Sequence, residues 1–409
     1  MALAMETSKA VSADGEELVV IRTSDRLLFK RCRRLWGWMS HLQMGLSLRE
    51  DVIYFWFGSG IHFALEDFHG VNLYGHPGKA FLAFVEAHRR IGKLPTDWEE
   101  HVPLGLGMLS YYADFWLPTR ESLRTFVLNS IPQLEVHGYI DLGLVHEGHR
   151  VVYGFTLDRM VVDEGNQLWI AEYKTAKAFR LLHYDTDEQV TAYMWAAHRL
   201  YKRDVAGVWY YQFKKVVPSL PKILASGAIS TDPKQQTSAA LYRKALLDVY
   251  GGLDMVPVKN VKFLNELVVE ETEDQDRFIR RESIERNQKQ LDNFEVRVKM
   301  EVEDMLRSDL PLYPNQTKDC SWSCPLQHAC IALECGADYE TELDVMVQHP
   351  TADNKELSWR KHLPKPKSIV LPPEAQLYQD LILEVLPKLE DPWEPQISPE
   401  EAFLQELRS

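Results

Sequence analysis

Two carboxylates and a lysine lie close together in segments that read as neighbouring strands: Asp158 within 151–162, and Glu172-Tyr173-Lys174 within 167–174. Side chains alternate along a strand, so Glu172 and Lys174 leave from one face. Asp163-Glu164-Gly165-Asn166 between the two runs is a turn signal. A two-residue turn at Glu164-Gly165 sets Asp158 opposite Ala171, one step from Glu172, and most neighbouring registers keep the three groups close. Hard oxygen ligands of this kind hold Mg2+ or Mn2+. Such an ion polarises a phosphate oxygen and activates water, while a lysine offsets charge developing on phosphorus. The chemistry expected is phosphodiester hydrolysis. A wet sheet face could carry the same residue types. Trp169, Ile170, Ala171 and Tyr173 instead mark a largely buried strand, where charges need partners.

Other residues extend the set. His62 and Glu66 are four apart on an expected helix and share a face. Gly58 and Gly60 precede them and permit tight backbone before that helix. Glu66 and Glu135 are candidate supporting carboxylates. Cys32 stands alone near the start, whereas Cys320, Cys324, Cys330 and Cys335 crowd together. Thiolates select zinc or iron–sulfur. The spacing is not that of paired C-x2-C zinc halves, and a remote Cys32 fits those poorly.

The elements that must position these groups alternate in period. Residues 1–18 are expected to be a loose end, with 17–21 a short strand. Ser24 is read as the N-cap of a helix through Trp36, basic at Arg26, Lys30, Arg31, Arg33 and Arg34. Much of 63–130 reads as a helical insert. Strands follow at 135–140, 151–162 and 167–174. A helix with capping-box spacing at Thr186 and Gln189 leads to a strand at 205–213. Strand, helix, strand is an α/β signature. Helices are expected at 238–250 and across 270–309, and a polar extension at 341–409 includes an apolar run at 381–386.

Composition bounds the function. Of 409 residues 45% are apolar and 26% charged, which fits a globular chain and not a disordered one. Lys plus Arg is 46 against 60 for Asp plus Glu, a net charge of −14, which excludes a uniformly basic surface but not a local basic cleft. Within 277–299 basic residues outnumber acidic ones by seven to four. No apolar run reaches membrane-spanning length, and Met1–Glu6 lacks the basic flank and apolar run of a secretory leader. The expectation is a soluble, intracellular, cytoplasmic protein.

Asp158 with Glu172-Tyr173-Lys174 resembles the Asp…Glu-x-Lys core of the PD-(D/E)XK nuclease superfamily, with Leu157 where the literal motif has proline. Gly58-Ser59-Gly60-Ile61-His62 resembles the histidine motif of its RecB-like branch. Gln189-Val190-Thr191-Ala192-Tyr193 resembles that branch's Gln-x-x-x-Tyr motif. Ser24 through Trp36, with Cys32, resembles the opening helix of the Cas4-like and AddB-like iron–sulfur members. The pattern runs in family order over about residues 20–335. It implies a restriction-endonuclease-like α/β core, a mixed sheet flanked by helices, in a nuclease domain over 19–340. His62, Asp158 and Glu172 would bind metal with the Tyr173 carbonyl, Lys174 would be the catalytic lysine, and Gln189 and Tyr193 would shape the site and contact DNA. Cys32, Cys320, Cys324 and Cys330 would hold a [4Fe-4S] cluster, a clip joining the two ends of the domain. Three residues separate Cys320 from Cys324, where the family commonly has two. Cys335 could substitute for one ligand but reads as a spare buried thiol.

The resemblance implies a Mg2+- or Mn2+-dependent DNA exonuclease acting at DNA ends or on single strands, in recombination or DNA processing. Cas4-like members occur in CRISPR adaptation and in phages, which would place this chain in the cytoplasm, the host's if it is phage-encoded, beside a recombination or CRISPR-type protein partner. No G-x-x-x-x-G-K-[ST] occurs, so no ATP motor is expected. Arg26, Lys30, Arg31, Arg33, Arg34, Lys214, Lys215, Arg280 and Arg281 are the candidates for focused positive charge, and Tyr54, Trp56, Tyr193 and Tyr211 for base stacking. The alternatives are a structure-directed or single-strand endonuclease and a catalytically silent DNA-end or partner-binding scaffold. Intact Asp158, Glu172 and Lys174 argue against the last.

Overall fold

The computed structural model describes residues 9–11, 15–49, 52–179, 184–272, 274–348 and 358–376. Its centre is a mixed sheet. The strands are β1 (Lys9–Val11), β2 (Glu17–Arg22), β3 (Leu134–His146), β4 (His149–Val162), β5 (Leu168–Ala176), β6 (Val205–Lys214) and β7 (Ile279–Ile284). Their order is β1-β2-β4-β5-β6-β7, with β3 along the second edge of β4. β2 runs parallel to β4 and β5 parallel to β6; the other pairs are antiparallel. The helices that concern the site are α1 (Thr23–Arg31), α2 (Arg33–Met39), α3 (Ile53–His69), α4 (Pro77–Arg90), α5 (Trp98–Tyr111), α6 (Glu188–Tyr201), α7 (Gln288–Met305), α8 (Gln327–Glu334) and α9 (Tyr339–Met346).

Period-two alternation divides the core into layers. Met160, Val162, Leu168 and Ile170 pack with Val190, Met194 and Ala197 of α6 and with Phe294 and Val298 of α7. Their neighbours Val161, Trp169, Ala171 and Tyr173 pack on the other side with Phe57 of α3, Phe81 and Phe84 of α4 and Tyr112. Both faces of β5 are therefore covered, and Glu172 and Lys174 sit in a sheet that has little water.

Several expectations need correction. The β4–β5 connection is five residues, not two: Val162 pairs with Leu168. Asp163 holds this longer loop by accepting from the Gln167 N–H at 2.8 Å and the Trp169 Nε1–H at 2.9 Å. The register shifts by one, which moves Asp158 onto the face of Glu172. Ser24 lies inside α1; Asp25 accepts the Arg22 N–H at 2.9 Å instead. The helix expected through Trp36 breaks at Cys32, which is extended at φ −163° and ψ 116°. Gly58 and Gly60 lie within α3. Gly60 lets Phe81 approach, since a Cβ there would stand 2.7 Å from that ring. Asp187, not Thr186, caps α6, accepting from the Gln189 N–H at 2.7 Å and the Val190 N–H at 3.3 Å.

The span 270–309 is not one helix. It holds the end of a helix at Val258–Glu270, the edge strand β7 and then α7. In β7 the buried Ile279, Arg281 and Ile284 are interleaved with more exposed residues, so a charge-rich run became a strand through pairing with β6. Parts of the insert are also strand, at Arg124–Thr125 and Val127–Leu128. Within 1–18, β1 pairs with the start of β2. Residues 1–8, 12–14 and the apolar run 381–386 lie outside the described residues. No helix among the described residues is long and apolar enough to cross a membrane.

Candidate active site

Three strands bring three carboxylates into a row. Leu134 and Val136 of β3 pair with Arg159 and Leu157 of β4, which sets Glu135 against Asp158. Arg159 pairs with Ala171 of β5, which sets Asp158 against Glu172. On one edge of β4, β2 pairs at 150–154 and β5 only from 159 onward. Asp158 stands in the gap. Its Oδ2 accepts the Tyr173 N–H at 2.9 Å, so a side chain replaces the ladder where β5 splays away.

His62 of α3 reaches this row. Its Nδ1 lies 3.2 Å from Asp158 Oδ1 and 3.5 Å from Glu135 Oε1. One ligand atom from each of His62, Glu135 and Asp158 fits within 4.8 Å of the others, the geometry of a cation site. Glu172 is 1% exposed. Its Oε1 accepts from Lys174 Nζ, while its Oε2 is buried with no hydrogen-bond partner. An orphaned buried carboxylate oxygen is costly unless something cationic completes it. This donor set fits a divalent metal. His62, Asp158, Glu172 and Lys174 thus come together, and Glu135 joins them. Its backbone is left-handed, φ 43°, a conformation that costs a non-glycine residue about 1–2 kcal/mol. Glu66 does not join: both its oxygens are held by Arg360 at 2.7 and 3.3 Å.

The electrostatics follow from crowding. Burial alone would lower the His62 pKa, but Asp158 and then Glu135 outweigh it and raise it to about 10. Burial pushes Glu135 up against His62. Burial, reinforced by Asp158, pushes Glu172 up to about 8 despite Lys174. Burial opposes ionisation of Asp158 too, yet His62 and Lys174 hold its carboxyl well below the usual range. Protons therefore occupy His62 and Glu172 at pH 7, where a metal would need both groups deprotonated. Metal binding should expel about one to two protons per ion, and apparent affinity should rise with pH from 6 to about 10. Titration calorimetry with Mn2+ in two buffers of different ionisation enthalpy measures this. Heats that do not depend on the buffer would exclude it.

Gln189 and Tyr193 lie one turn apart on α6, with Gln189 Nε2 2.5 Å from the Tyr193 hydroxyl. Tyr193 is 4% exposed, and its hydroxyl is pushed up by burial and by nearby Glu172 and Asp158. It borders the carboxylates, but so little of it is accessible that base stacking is not its role. Trp56 and Tyr211 are core residues too, at 4% and 0%. Of the four aromatics, Tyr54 alone is exposed, at 56%.

Most of the basic candidates are spent on structure. Arg26 is fully buried against Glu301 and Glu188. Lys30 meets the same two carboxylates, Arg33 meets Asp304 and Arg34 meets Glu334. Arg31 donates to the Ser323 carbonyl and hydroxyl at 3.0 and 2.8 Å. Arg281 is buried between Glu121 and Asp274, and Arg280 pairs with Glu282. Lys214 and Lys215, at the end of β6, meet no carboxylate among the described residues. Lys215 Nζ lies 5.2 Å from the ring centres of Tyr54 and Phe57.

The thiols come from both ends of the domain. Cys32, Cys324 and Cys330 are partly buried against Leu35, Trp38, Leu326 and Ala329. N–H groups point at three sulfurs: Asn315 N at 3.5 Å from Cys32 Sγ, Thr317 N at 3.5 Å from Cys320 Sγ, and Arg34 Nη1 at 3.4 Å from Cys330 Sγ. Burial raises the Cys324 pKa, and its thiol neighbours Cys320 and Cys32 add to the rise. The thiols do not converge as tightly as the His62 group does. Cys335 is exposed.

A sequence profile described as the PD-(D/E)XK nuclease superfamily matches residues 25–331. Among curated proteins none matches the chain.

Proposed function

The chain belongs to the PD-(D/E)XK nuclease superfamily, and from that premise we propose that it is a metal-dependent DNA exonuclease of the RecB-like, Cas4-like kind, hydrolysing phosphodiester bonds at DNA ends. The observation that carries the chemical part is the cation-sized group of His62, Glu135 and Asp158, with Glu172 beside it on the next strand, paired to Lys174 and holding one buried carboxylate oxygen that lacks a donor. His62, Glu135, Asp158 and Glu172 would hold Mg2+ or Mn2+, with the Tyr173 carbonyl as a further ligand. A divalent ion there supplies polarisation of the scissile phosphate and a more acidic attacking water. Lys174 orients that water and offsets charge on the phosphate oxygens. Gln189 and Tyr193 fix the wall behind Glu172.

The end-directed reading rests on motif order and on how little free positive charge there is. The order is His62, Asp158, Glu172-x-Lys174, Gln189-x3-Tyr193, with cysteines before and after. Against a net charge of −14, Lys214, Lys215 and the exposed Lys177, beside exposed Tyr54, make a strip suited to one strand. We read 19–340 as the nuclease domain, 63–130 as its insert and 341–409 as an extension. We also propose that Cys32, Cys320, Cys324 and Cys330 hold a [4Fe-4S] cluster. The N–H groups aimed at three of the sulfurs are the surroundings such thiolates need. A four-iron cluster also holds its thiolates farther apart than a single ion does.

The test is cleavage of end-labelled linear and of circular single-stranded DNA by anaerobically purified protein with Mn2+. Loss of linear DNA alone is expected. Cutting of circles would establish the endonuclease instead, and tight binding without any cleavage would establish a scaffold.

A further inference from the structure

A segment beyond the family match reaches the helix that carries His62. Residues 358–376 lie outside 25–331, yet they dock on α3 and α4. Trp359 is 6% exposed and packs edge-on against Phe63 at 5.0 Å and Phe84 at 4.8 Å. The Tyr74 hydroxyl donates to the Pro364 carbonyl at 3.0 Å, and Arg90 Nη1 donates to the His362 carbonyl at 3.1 Å. Leu371 and Ala375 complete the same core. Arg360, fixed by these neighbours, lies over the rings of Phe63 and Trp359 at 5.3 and 5.2 Å and forks onto both oxygens of Glu66.

Glu66 is the position where another metal ligand would be expected. It follows His62 by one helical turn and so lies on the face of α3 that carries His62. A two-pronged arginine contact is the strongest way for a side chain to occupy a carboxylate. We infer that Arg360 is a positioning residue which withholds Glu66 from the metal centre, so that this C-terminal segment sets how many carboxylates the centre offers. The inference rests on the metal-site reading above and concerns a part of the chain that the family pattern does not cover.

The measurement is Mn2+ binding by calorimetry and by loss of the free-ion magnetic resonance signal, on the full chain. R360Q should tighten Mn2+ binding roughly fivefold, the size of one unit charge acting on a divalent ion through screened solvent. R360Q with E66Q should return to the parent affinity, because the two residues act as one unit. E66Q alone, which leaves the Arg360 charge unpaired, should weaken Mn2+ binding by no more than about fivefold on the same charge argument, and R360K should stay near the parent. An unchanged affinity in folded R360Q overturns the inference. A weakening in E66Q well beyond that, on the order of fiftyfold, also overturns it, since Glu66 would then already be a ligand, and that variant keeps the test open if R360Q unfolds. Failure of the parent protein to bind Mn2+ would instead defeat the metal-site reading itself, so the two failures are distinct.

Discussion

Lys174→Met should lower phosphodiester cleavage by about a thousandfold, roughly 4 kcal/mol of transition-state stabilisation, while leaving Mn2+ bound. The size follows from where the charge sits. Lys174 is 26% exposed and paired to a carboxylate that is 1% exposed. Burial disfavours its charged form, but Glu172 and Asp158 more than offset this and keep it protonated well above the ordinary lysine range. A cation held so firmly in a poorly screened place acts on a phosphate far more strongly than a surface lysine. Methionine keeps the length and removes the charge. It should not weaken metal binding, because a positive charge beside the ligands has gone; Mn2+ affinity should hold or rise. Lys174→Arg should rescue little, since a planar fork cannot stand where a compact ammonium does. Single-turnover rates beside calorimetry separate the two effects. Cleavage by Lys174→Met above about a tenth of the parent rate would remove Lys174 from the chemistry. Loss of Mn2+ binding together with rate would mean that the lysine supports the ligands and not the reaction.

Much of the site could be read from residues near one another in the chain. The β4–β5 hairpin showed itself through largely apolar runs on both sides of the Asp163–Asn166 turn signal, and the parallel β5–α6–β6 unit through one change of period. Local signals stop where register depends on distant contacts. Asp163 alone stretches the hairpin loop to five residues and so moves Asp158 opposite Glu172. Glu135 reads from the sequence only as a candidate supporting carboxylate, although it lies in one cation-sized group with His62 and Asp158. Between Asp141 and Leu144 the β3–β4 register shifts by two, and without that bulge Glu135 would face Met160 instead of Asp158. Nothing in the neighbouring sequence marks the bulge except Gly143, which has a left-handed φ of 71°. The basic opening helix misled for a similar reason. Its arginines read as a surface for DNA, but Glu188, Glu301, Asp304 and Glu334, all remote in sequence, neutralise most of them. The strand β7 was hidden because its partner β6 begins some 75 residues earlier.

Cys32→Ala should cost the fold and not merely the rate. Cys32 sits where α1 ends and α2 begins, extended so that its sulfur meets the 313–330 segment. Other contacts also fasten that segment to the opening helices. Arg34 N–H donates to the Tyr313 carbonyl at 3.1 Å, Arg31 reaches Ser323, and a small core joins Leu35, Trp38 and Leu46 to Leu326 and Ala329. A cluster shared by Cys32 and the late cysteines would close a loop of about 290 residues. Closing a loop of that length restricts the unfolded chain by about 5 kcal/mol, comparable with the whole stability of many domains. The variant is therefore expected to lose most of its iron, to appear largely in the insoluble fraction and to melt about 5–10 °C lower where soluble. Cys335→Ala should do none of this, since its thiol is exposed. Iron content and thermal melting of the two variants, purified anaerobically, decide the matter. A soluble, iron-free Cys32→Ala protein that melts and cleaves like the parent would show that the thiols clip nothing together. A parent protein carrying one zinc and no iron would keep the clip and replace the cluster, because thiolates at the same four positions can also close on a single soft ion.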